Sequence, residues 1–364
     1  MSFYSLLRPI LMRMDAEKAH NLTVTLLKTG LGPLQSFNDP VLAVNVWGSE
    51  FKNPLGIAAG FDKDAELLPD LFSMGFGFVE AGTVTPKPQE GNPKPRVFRD
   101  VENKSVINRM GFPGKGLEAF AANVADYRLH YMTTQGVLGL NIGINKGAPS
   151  PIDDYRKGIE KLGRFADYIT VNISSPNTEG LRALQEKEEL DRLLDGLAEA
   201  RGGLKRFVPL LVKVAPDLDH AQREAMASVF LAHSVDGLIV SNTTVSRPDA
   251  LAKELKEEKG GLSGALLCDL AAKRVADFYT LTEGKIPIVG VGGISTPENA
   301  YARIRAGATL LQLYTALVYG GPPLVVSILK GLAELLKKDG YSHLSQAVGA
   351  DVPVVRNHLK KAAG

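Results

Sequence analysis

The segment Asn172-Ile173-Ser174-Ser175-Pro176-Asn177-Thr178 follows an apolar run, so two amides and a hydroxyl gather where a buried strand gives way to a loop. Each asparagine offers a carbonyl acceptor and an amine donor. Asn172 and Asn177 together match the edge of a ring built from alternating C=O and N–H groups, with Ser175 between them. A strand end in which Asn and Ser merely satisfy a turn has the same local composition. The other strand ends weigh against that plainer reading. Asn141 and Asn242-Thr243 end two more apolar runs, and Asn108-Arg109-Met110-Gly111-Phe112 adds a polar group bounded by glycine and an aromatic ring. Asn, Lys and Thr recur, carboxylates are few, and histidine is absent. That chemistry suits a neutral, hydrogen-bonding ring with an anionic group, not metal-assisted hydrolysis or a carboxylate pair.

Lys213 stands among apolar residues in Leu210-Leu211-Val212-Lys213-Val214-Ala215-Pro216. A lysine is rarely buried without a partner. It could snorkel to a rim, face a group that gains negative charge such as a reduced flavin, or form a Schiff base. Lys63 follows Ala58-Ala59-Gly60-Phe61-Asp62, where Asp62 could simply pair with it at the surface. Gly292-Gly293 ends one late apolar run, and Ser295 or Thr296 can cap a helix beginning at Pro297. Backbone N–H groups at such a turn, with a helix start, favour an anion, which implies a phosphorylated substrate or a phosphate-bearing cofactor such as FMN.

Positioning these groups requires strands that end together. Eight β-rich segments fit: 54–60, 76–85, 138–143, 167–174, 208–215, 237–242, 286–293 and 309–314. Most are bounded by Gly, Pro or Asn. Amphipathic stretches lie between them, for example Leu190, Leu193, Leu194 and Leu197 at helical spacing. The alternation predicts an α/β chain with parallel strands, most simply a closed TIM (β/α)8 barrel over residues 54–364, with a doubly wound sheet as the alternative. Two insertions interrupt it, the proline-rich residues 86–95 and the charged residues 253–259; both should emerge on the face where barrel active sites form. Residues 1–53 stand apart as an N-terminal two-helix extension. Leu6, Leu7, Ile10, Leu11 and Met14 form one apolar stripe, and Asp15 can cap a second helix carrying Ala19, Leu22 and Leu26. This pair either packs on the barrel or forms a mouth for an apolar ligand.

The bulk properties exclude several classes. At 364 residues, with 45% hydrophobic and 23% charged residues, the chain reads as a globular protein. Its net charge of +2 argues against a nucleic-acid partner. No apolar run approaches the roughly 20 residues that span a bilayer, and Arg8 and Arg13 interrupt the early apolar region, so no secretory signal is read there. The single cysteine, Cys268, rules out an internal disulfide and a multi-cysteine site, and the six histidines show no ligand spacing, so no metal is expected.

Taken together, these motifs resemble the dihydroorotate dehydrogenase family, in its quinone-dependent, membrane-associated class 2. The resemblance spans nearly the whole chain, through Ala58–Lys63, Thr83-Val84-Thr85-Pro86-Lys87-Pro88-Gln89, Asn108–Phe112, Asn172–Thr178, Lys213–Pro216, Ser241-Asn242-Thr243-Thr244 and Gly292-Gly293-Ile294. Soluble relatives carry cysteine where this chain has Ser175, and they lack the N-terminal extension. The resemblance implies FMN in the barrel mouth and oxidation of dihydroorotate to orotate, a step of pyrimidine biosynthesis. It makes Ser175 the catalytic base, with Thr178 and a water as a proton relay. Lys63, Asn108, Arg109, Met110, Gly111, Phe112, Asn172, Asn177, Asn242 and Thr243 would hold the substrate. For FMN it implies Ala59, Gly60, Phe61, Asp62, Lys63, Thr83 and Asn141. Asn172, Lys213, Ser241, Gly264, Gly293, Tyr314 and Thr315 complete that set. The two helices would frame a tunnel for ubiquinone or menaquinone, with His20, Arg99 and Tyr314 among its polar residues. With no targeting peptide or membrane span read ahead of the first helix, the expectation is a monomer held peripherally on the cytoplasmic face of a bacterial inner membrane.

Overall fold

The structure, a computed structural model, describes residues 3–29, 34–131 and 136–352. It opens with two helices, α1 (Phe3–Arg13) and α2 (Ala16–Leu27). Asp15 caps α2 as the sequence suggests, its carboxylate accepting the Lys18 N–H at 2.9 Å. The apolar stripes are only partly turned inward. Leu11, Ala19 and Leu27 are buried, whereas Ile10, Leu22 and Leu26 face outward; the side chains of Leu6 and Leu7 lie outside the described residues.

Residues 44–51 are not helical. They form an antiparallel hairpin, β1 (Val44–Val46) and β2 (Ser49–Phe51), turning through Trp47 and Gly48 at φ of 54° and 73°. Two positive φ values match the twist of a tight hairpin turn. Its strands are too short to show alternation in sequence. The hairpin closes the amino-terminal end of the barrel: the Trp47 indole N–H donates to the Asp236 carbonyl at 2.6 Å, and the Phe51 ring meets Phe78 edge-on at 5.4 Å.

The barrel itself starts with β3 (Leu55–Ile57), helix α3 (Leu68–Ser73) and β4 (Phe78–Val84). Two strands just beyond the proline-rich insertion follow, β5 (Val97–Asp100) and β6 (Ser105–Asn108), and then α4 (Leu117–His130). Next come β7 (Val137–Ile142), α5 (Pro151–Leu162), β8 (Tyr168–Asn172), α6 (Lys187–Gly202), β9 (Leu210–Val214) and α7 (His220–Ala232). β10 (Gly237–Val240) leads into β11 (Gly261–Gly264) and α8 (Cys268–Leu281). The last units are β12 (Ile288–Val291), α9 (Pro297–Arg305), β13 (Ala308–Leu313), α10 (Thr315–Gly320) and α11 (Pro323–Lys338).

Eight parallel strands close in the order β3-β4-β7-β8-β9-β10-β12-β13 and back to β3. Each lies within, or one residue ahead of, its expected segment. The barrel is therefore closed, not doubly wound. Leu190, Leu193, Leu194 and Leu197 of α6 are all buried, each contributing about 1.5–3 kcal/mol by leaving water. Position 139 demands glycine for lack of space. A Cβ there would lie 2.0 Å from Tyr168 Cζ, so its absence admits that ring to the barrel interior.

The chain segments that follow the two insertions join. β11, from the loop after β10, pairs antiparallel with β6, which pairs with β5, giving a three-stranded sheet beside the carboxyl ends of the barrel strands. This sheet anchors the helix pair. Arg99 on β5 donates to the Leu11 carbonyl at 3.0 Å, and Arg96 meets Glu17 of α2 at 2.7 Å. No helix among the described residues is long and apolar enough to cross a membrane.

Candidate functional site

A cavity of about 1170 Å³ is bounded by the barrel's carboxyl-terminal strand ends, the three-stranded sheet and the helix pair. That exceeds the roughly 300–1,000 Å³ of ordinary small-ligand sites. Leu11, Ala19, His20 and Thr23 line it from the helices, while Ala59, Gly60, Ser175, Lys213 and Gly293 line it from the barrel.

Its floor is a directed chain of hydrogen bonds. Glu80, wholly buried on β4, accepts from Asn141 Nδ2 at 2.7 Å, Gln312 Nε2 at 2.8 Å and the Tyr168 hydroxyl at 3.0 Å. The amide nitrogens of Asn141 and Gln312 can only donate, which fixes the direction of both bonds. With its amine so committed, Asn141 turns its carbonyl to the Thr83 hydroxyl, 2.7 Å away. Thr83 Oγ1 in turn accepts from Asn172 Nδ2 at 3.1 Å. The Asn172 carbonyl is left facing the Ser174 hydroxyl at 3.0 Å and Asn242 Nδ2 at 3.4 Å. Asn242 Oδ1 accepts the Thr243 N–H at 2.8 Å.

Ser175 lies above this floor on the loop after β8, its oxygen accepting the Asn177 N–H at 3.2 Å. Asn177 donates to the Asn108 carbonyl at 3.1 Å, which ties the serine loop to β6. Arg182 holds the loop from the other side. Its guanidinium reaches the Ser174 carbonyl at 3.2 Å, the Thr243 carbonyl at 3.1 Å and Asp217 at 3.0 Å. Three strand-end loops thus share one clamp. Among the described residues no carboxylate or imidazole hydrogen-bonds to Ser175, so any proton it takes must leave by another route.

Two lysines bring positive charge to the cavity. Burial pulls the Lys63 ammonium down to about 8; Glu17, Asp62 and Asp64 oppose that effect and Arg96 adds to it. Lys213 is likewise held below the ordinary lysine range by burial, with Glu80 pulling it back up. His20 is held to about 3 by burial and by Lys63, so its imidazole is neutral. Its ring meets Phe61 edge-on at 5.3 Å, and Phe61 meets Tyr314 at 5.5 Å. These aromatic edges border the passage between helices and barrel.

At the opposite wall, Gly264, Gly293 and Thr315 line the cavity, and the Thr315 and Ser263 hydroxyls are 2.9 Å apart. A Cβ on Gly293 would lie 2.4 Å from Cys268 Cα, so only glycine lets the chain turn there. Thr296 caps α9, accepting the Asn299 N–H at 3.2 Å.

The cavity brings together Ser175, Lys63, Asn108, Met110, Gly111, Phe112, Asn172, Asn177, Asn242 and Thr243. It also gathers Ala59, Gly60, Phe61, Thr83, Lys213, Ser241, Gly264, Gly293, Tyr314 and Thr315, with His20 and Arg99 at the helix side. Four expected residues lie off its wall. Arg109 turns away to pair with Glu258 at 2.6 Å over the Phe98 ring. Asp62 accepts the Glu66 and Leu67 N–H groups at 2.8 Å, holding the turn after β3. Asn141 is a link in the floor's hydrogen-bond chain but does not itself line the cavity. Thr178 is buried with its hydroxyl lacking a partner among the described residues. Sequence reasoning missed Glu80 and Arg182; the one signal for Glu80 was a lone carboxylate inside the apolar run Phe78–Val84.

A closed parallel barrel whose strand ends carry amides, a serine and two desolvated lysines under a helical cap has the architecture of a barrel enzyme with its site at the carboxyl-terminal face. The chain belongs to the dihydroorotate dehydrogenase family, whose model matches residues 41–336. It is 50% identical over 97% of its length to the whole of a dihydroorotate dehydrogenase (quinone) from Azorhizobium caulinodans. It is 48% identical over 95% of its length to 89% of the mitochondrial enzyme of that name from Mus musculus. A crystal structure of the Eimeria tenella dehydrogenase in complex with ferulenol superposes with a TM-score of 0.90 at 40% identity, covering 93% of this chain and 96% of that one. This membership disfavours the Schiff-base lyase reading of Lys213.

Replacing Glu80 by leucine strands three buried donors, each costing about 1–3 kcal/mol. Urea unfolding of Glu80→Leu should show a loss of about 3 kcal/mol or more. A loss under about 1 kcal/mol would mean that the carboxylate does not anchor the floor.

Proposed function

We propose that the chain oxidises (S)-dihydroorotate to orotate, with FMN as hydride acceptor and a membrane quinone, ubiquinone or menaquinone, as final acceptor. The reaction would serve de novo pyrimidine (UMP) synthesis. The observation that carries this reading is the continuity of the cavity, which reaches from Ser175 and the asparagines to His20 and Ala19. Both a donor and an acceptor therefore have access to one site.

The residues present fit FMN. Gly264 and Gly293, packed so closely that a Cβ would meet neighbouring backbone at 2.4 Å, line the cavity with bare backbone that a phosphate can approach, and Thr315 lines it with them. Ala59, Gly60, Phe61, Thr83, Asn172, Lys213, Ser241 and Tyr314 would surround the ring system, with Asp62 and Asn141 supporting from behind. When bound there, FMN supplies a two-electron acceptor that can be reoxidised.

Asn108, Asn172, Asn177, Asn242 and Thr243 would hold the pyrimidine, their polarity fixed by the floor. Thr243 Oγ1 itself is packed toward Gly261, where a Cβ would lie 1.8 Å from it, so the residue would contribute through the rest of its surface on the cavity. Lys63 would meet the substrate carboxylate, with Met110, Gly111 and Phe112 closing that side. Ser175 would take the proton from carbon 5. A serine is a weak base unaided, and a water bridging it to the unpartnered Thr178 hydroxyl would carry the proton outward. Arg109, bound to Glu258, supports the loop rather than the ligand. His20, Arg99 and Tyr314 would border the quinone path.

The exposed Ile10, Leu22, Leu26 and Leu34 support peripheral attachment to a membrane, here the cytoplasmic face of a bacterial inner membrane.

Ser175→Ala should slow orotate formation about 10²–10⁴-fold at neutral pH and recover partly at high pH, where hydroxide replaces the base. Undiminished turnover would remove Ser175 from that role. For Lys63, whose pKa near 8 lies below the ordinary lysine value, charge is lost as pH rises through about 8. The kcat/KM for dihydroorotate should fall above that pH, and Lys63→Arg should move the fall to higher pH. An unchanged alkaline limb in the variant would assign it to another group. Finally, Ala19→Phe should narrow the passage, raising the KM for quinone while reduction by dihydroorotate proceeds at the normal rate. Equal loss of both half-reactions would place the quinone elsewhere.

A further inference from the structure

Arg303, on α9, is 1% exposed. Its guanidinium donates to the carbonyls of Gly292 and Cys268, both at 2.9 Å, and of Val291 at 3.2 Å. Among the described residues no carboxylate is paired with it; Asp269, the acid that acts on it, is exposed to solvent. A buried cation that meets only carbonyls and the Cys268 sulfur, 3.9 Å away, keeps most of its desolvation penalty. Such a charge calls for an anion close by.

The place for that anion is one peptide away. Val291, Gly292 and Gly293 line the cavity. The carbonyl that Arg303 grips belongs to the same peptide unit as the Gly293 N–H. That N–H meets no backbone acceptor among the described residues. Hydrogen bonding at one end of a peptide polarises the other, so the N–H of the cavity-lining Gly293 becomes a stronger donor. The cation adds a through-space attraction that low dielectric preserves.

We propose that Arg303 is the fixed counter-charge for the phosphate of the bound flavin, acting from behind the cavity wall through the Gly292–Gly293 peptide. It is a positioning residue and does not touch the ligand. This inference rests on the FMN reading above.

The test compares a phosphate-bearing flavin with one that lacks it. Flavin-stripped wild-type protein, Arg303→Gln and Arg303→Lys are titrated with FMN and with riboflavin, binding being read by the change in flavin fluorescence. Glutamine keeps a donor for the carbonyls but loses the charge, and lysine keeps the charge but loses the fork. Wild type should prefer FMN. Arg303→Gln should lose about tenfold or more of that preference, on the scale of one charge at short range, with riboflavin affinity little changed. Arg303→Lys should keep most of the preference. Equal weakening of both flavins by Arg303→Gln, an unchanged preference, or an equal loss in both variants would overturn the proposal. Wild-type protein that binds neither flavin, or binds both alike, would overturn the FMN-phosphate reading on which it rests.

Discussion

The interaction on which the site depends is a carboxylate sealed inside the barrel. Glu80 accepts from three neighbours inside the barrel, two of them amide nitrogens that can only donate. That constraint passes outward without a free choice: amine of Asn141 to Glu80, hydroxyl of Thr83 to Asn141, amine of Asn172 to Thr83. An asparagine side chain would otherwise be free to flip between two nearly isosteric orientations. Here each flip would set donor against donor or acceptor against acceptor, in a medium where mismatches are expensive. The cavity floor thus presents its hydrogen bonds in one arrangement before any ligand arrives.

The barrel supplies the partners that make this arrangement stable. Glycine at position 139 lets Tyr168 lie across the interior and provide one of the three donors. Lys213 places positive charge within the field of the same carboxylate. Burying two opposite charges in one interior is less costly than burying either alone. Above that interior, Arg182 ties three loops into one clamp, and Arg96 and Arg99 fix the helix pair to the three-stranded sheet. The helices are therefore part of the cavity wall, which is why one space can serve both a polar ring and an apolar acceptor.

Much of the barrel was legible in the sequence because its strands are short β-rich runs punctuated by Gly, Pro and Asn. The strand-end residues were legible for the same reason: Ser175, Lys213 and the asparagines interrupt apolar patterns at the points where chains emerge. What escaped was set by distant partners. β6 and β11 lie more than 150 residues apart in sequence, as their Asn108–Gly261 pairing shows, and no local pattern announces such a contact. Glu80 and Arg303 look like ordinary charged residues until the fold surrounds them. Leu22 and Leu26 show the converse, since helical spacing marks an apolar stripe but does not say whether protein covers it. Arg109 and Asp62 were drawn toward the site by their neighbours in the chain, whereas nearby partners, Glu258 and the backbone after β3, hold them off the cavity wall.

The central claim is that one cavity serves both halves of an electron transfer. The most direct measurement mixes the purified protein with dihydroorotate under anaerobic conditions and then with a short-chain ubiquinone, following the flavin absorbance throughout. Bleaching by dihydroorotate and recovery on adding quinone are expected, each within the time of a turnover. Bleaching that quinone cannot reverse, or folded protein with no flavin absorbance when purified, would contradict a shared cavity.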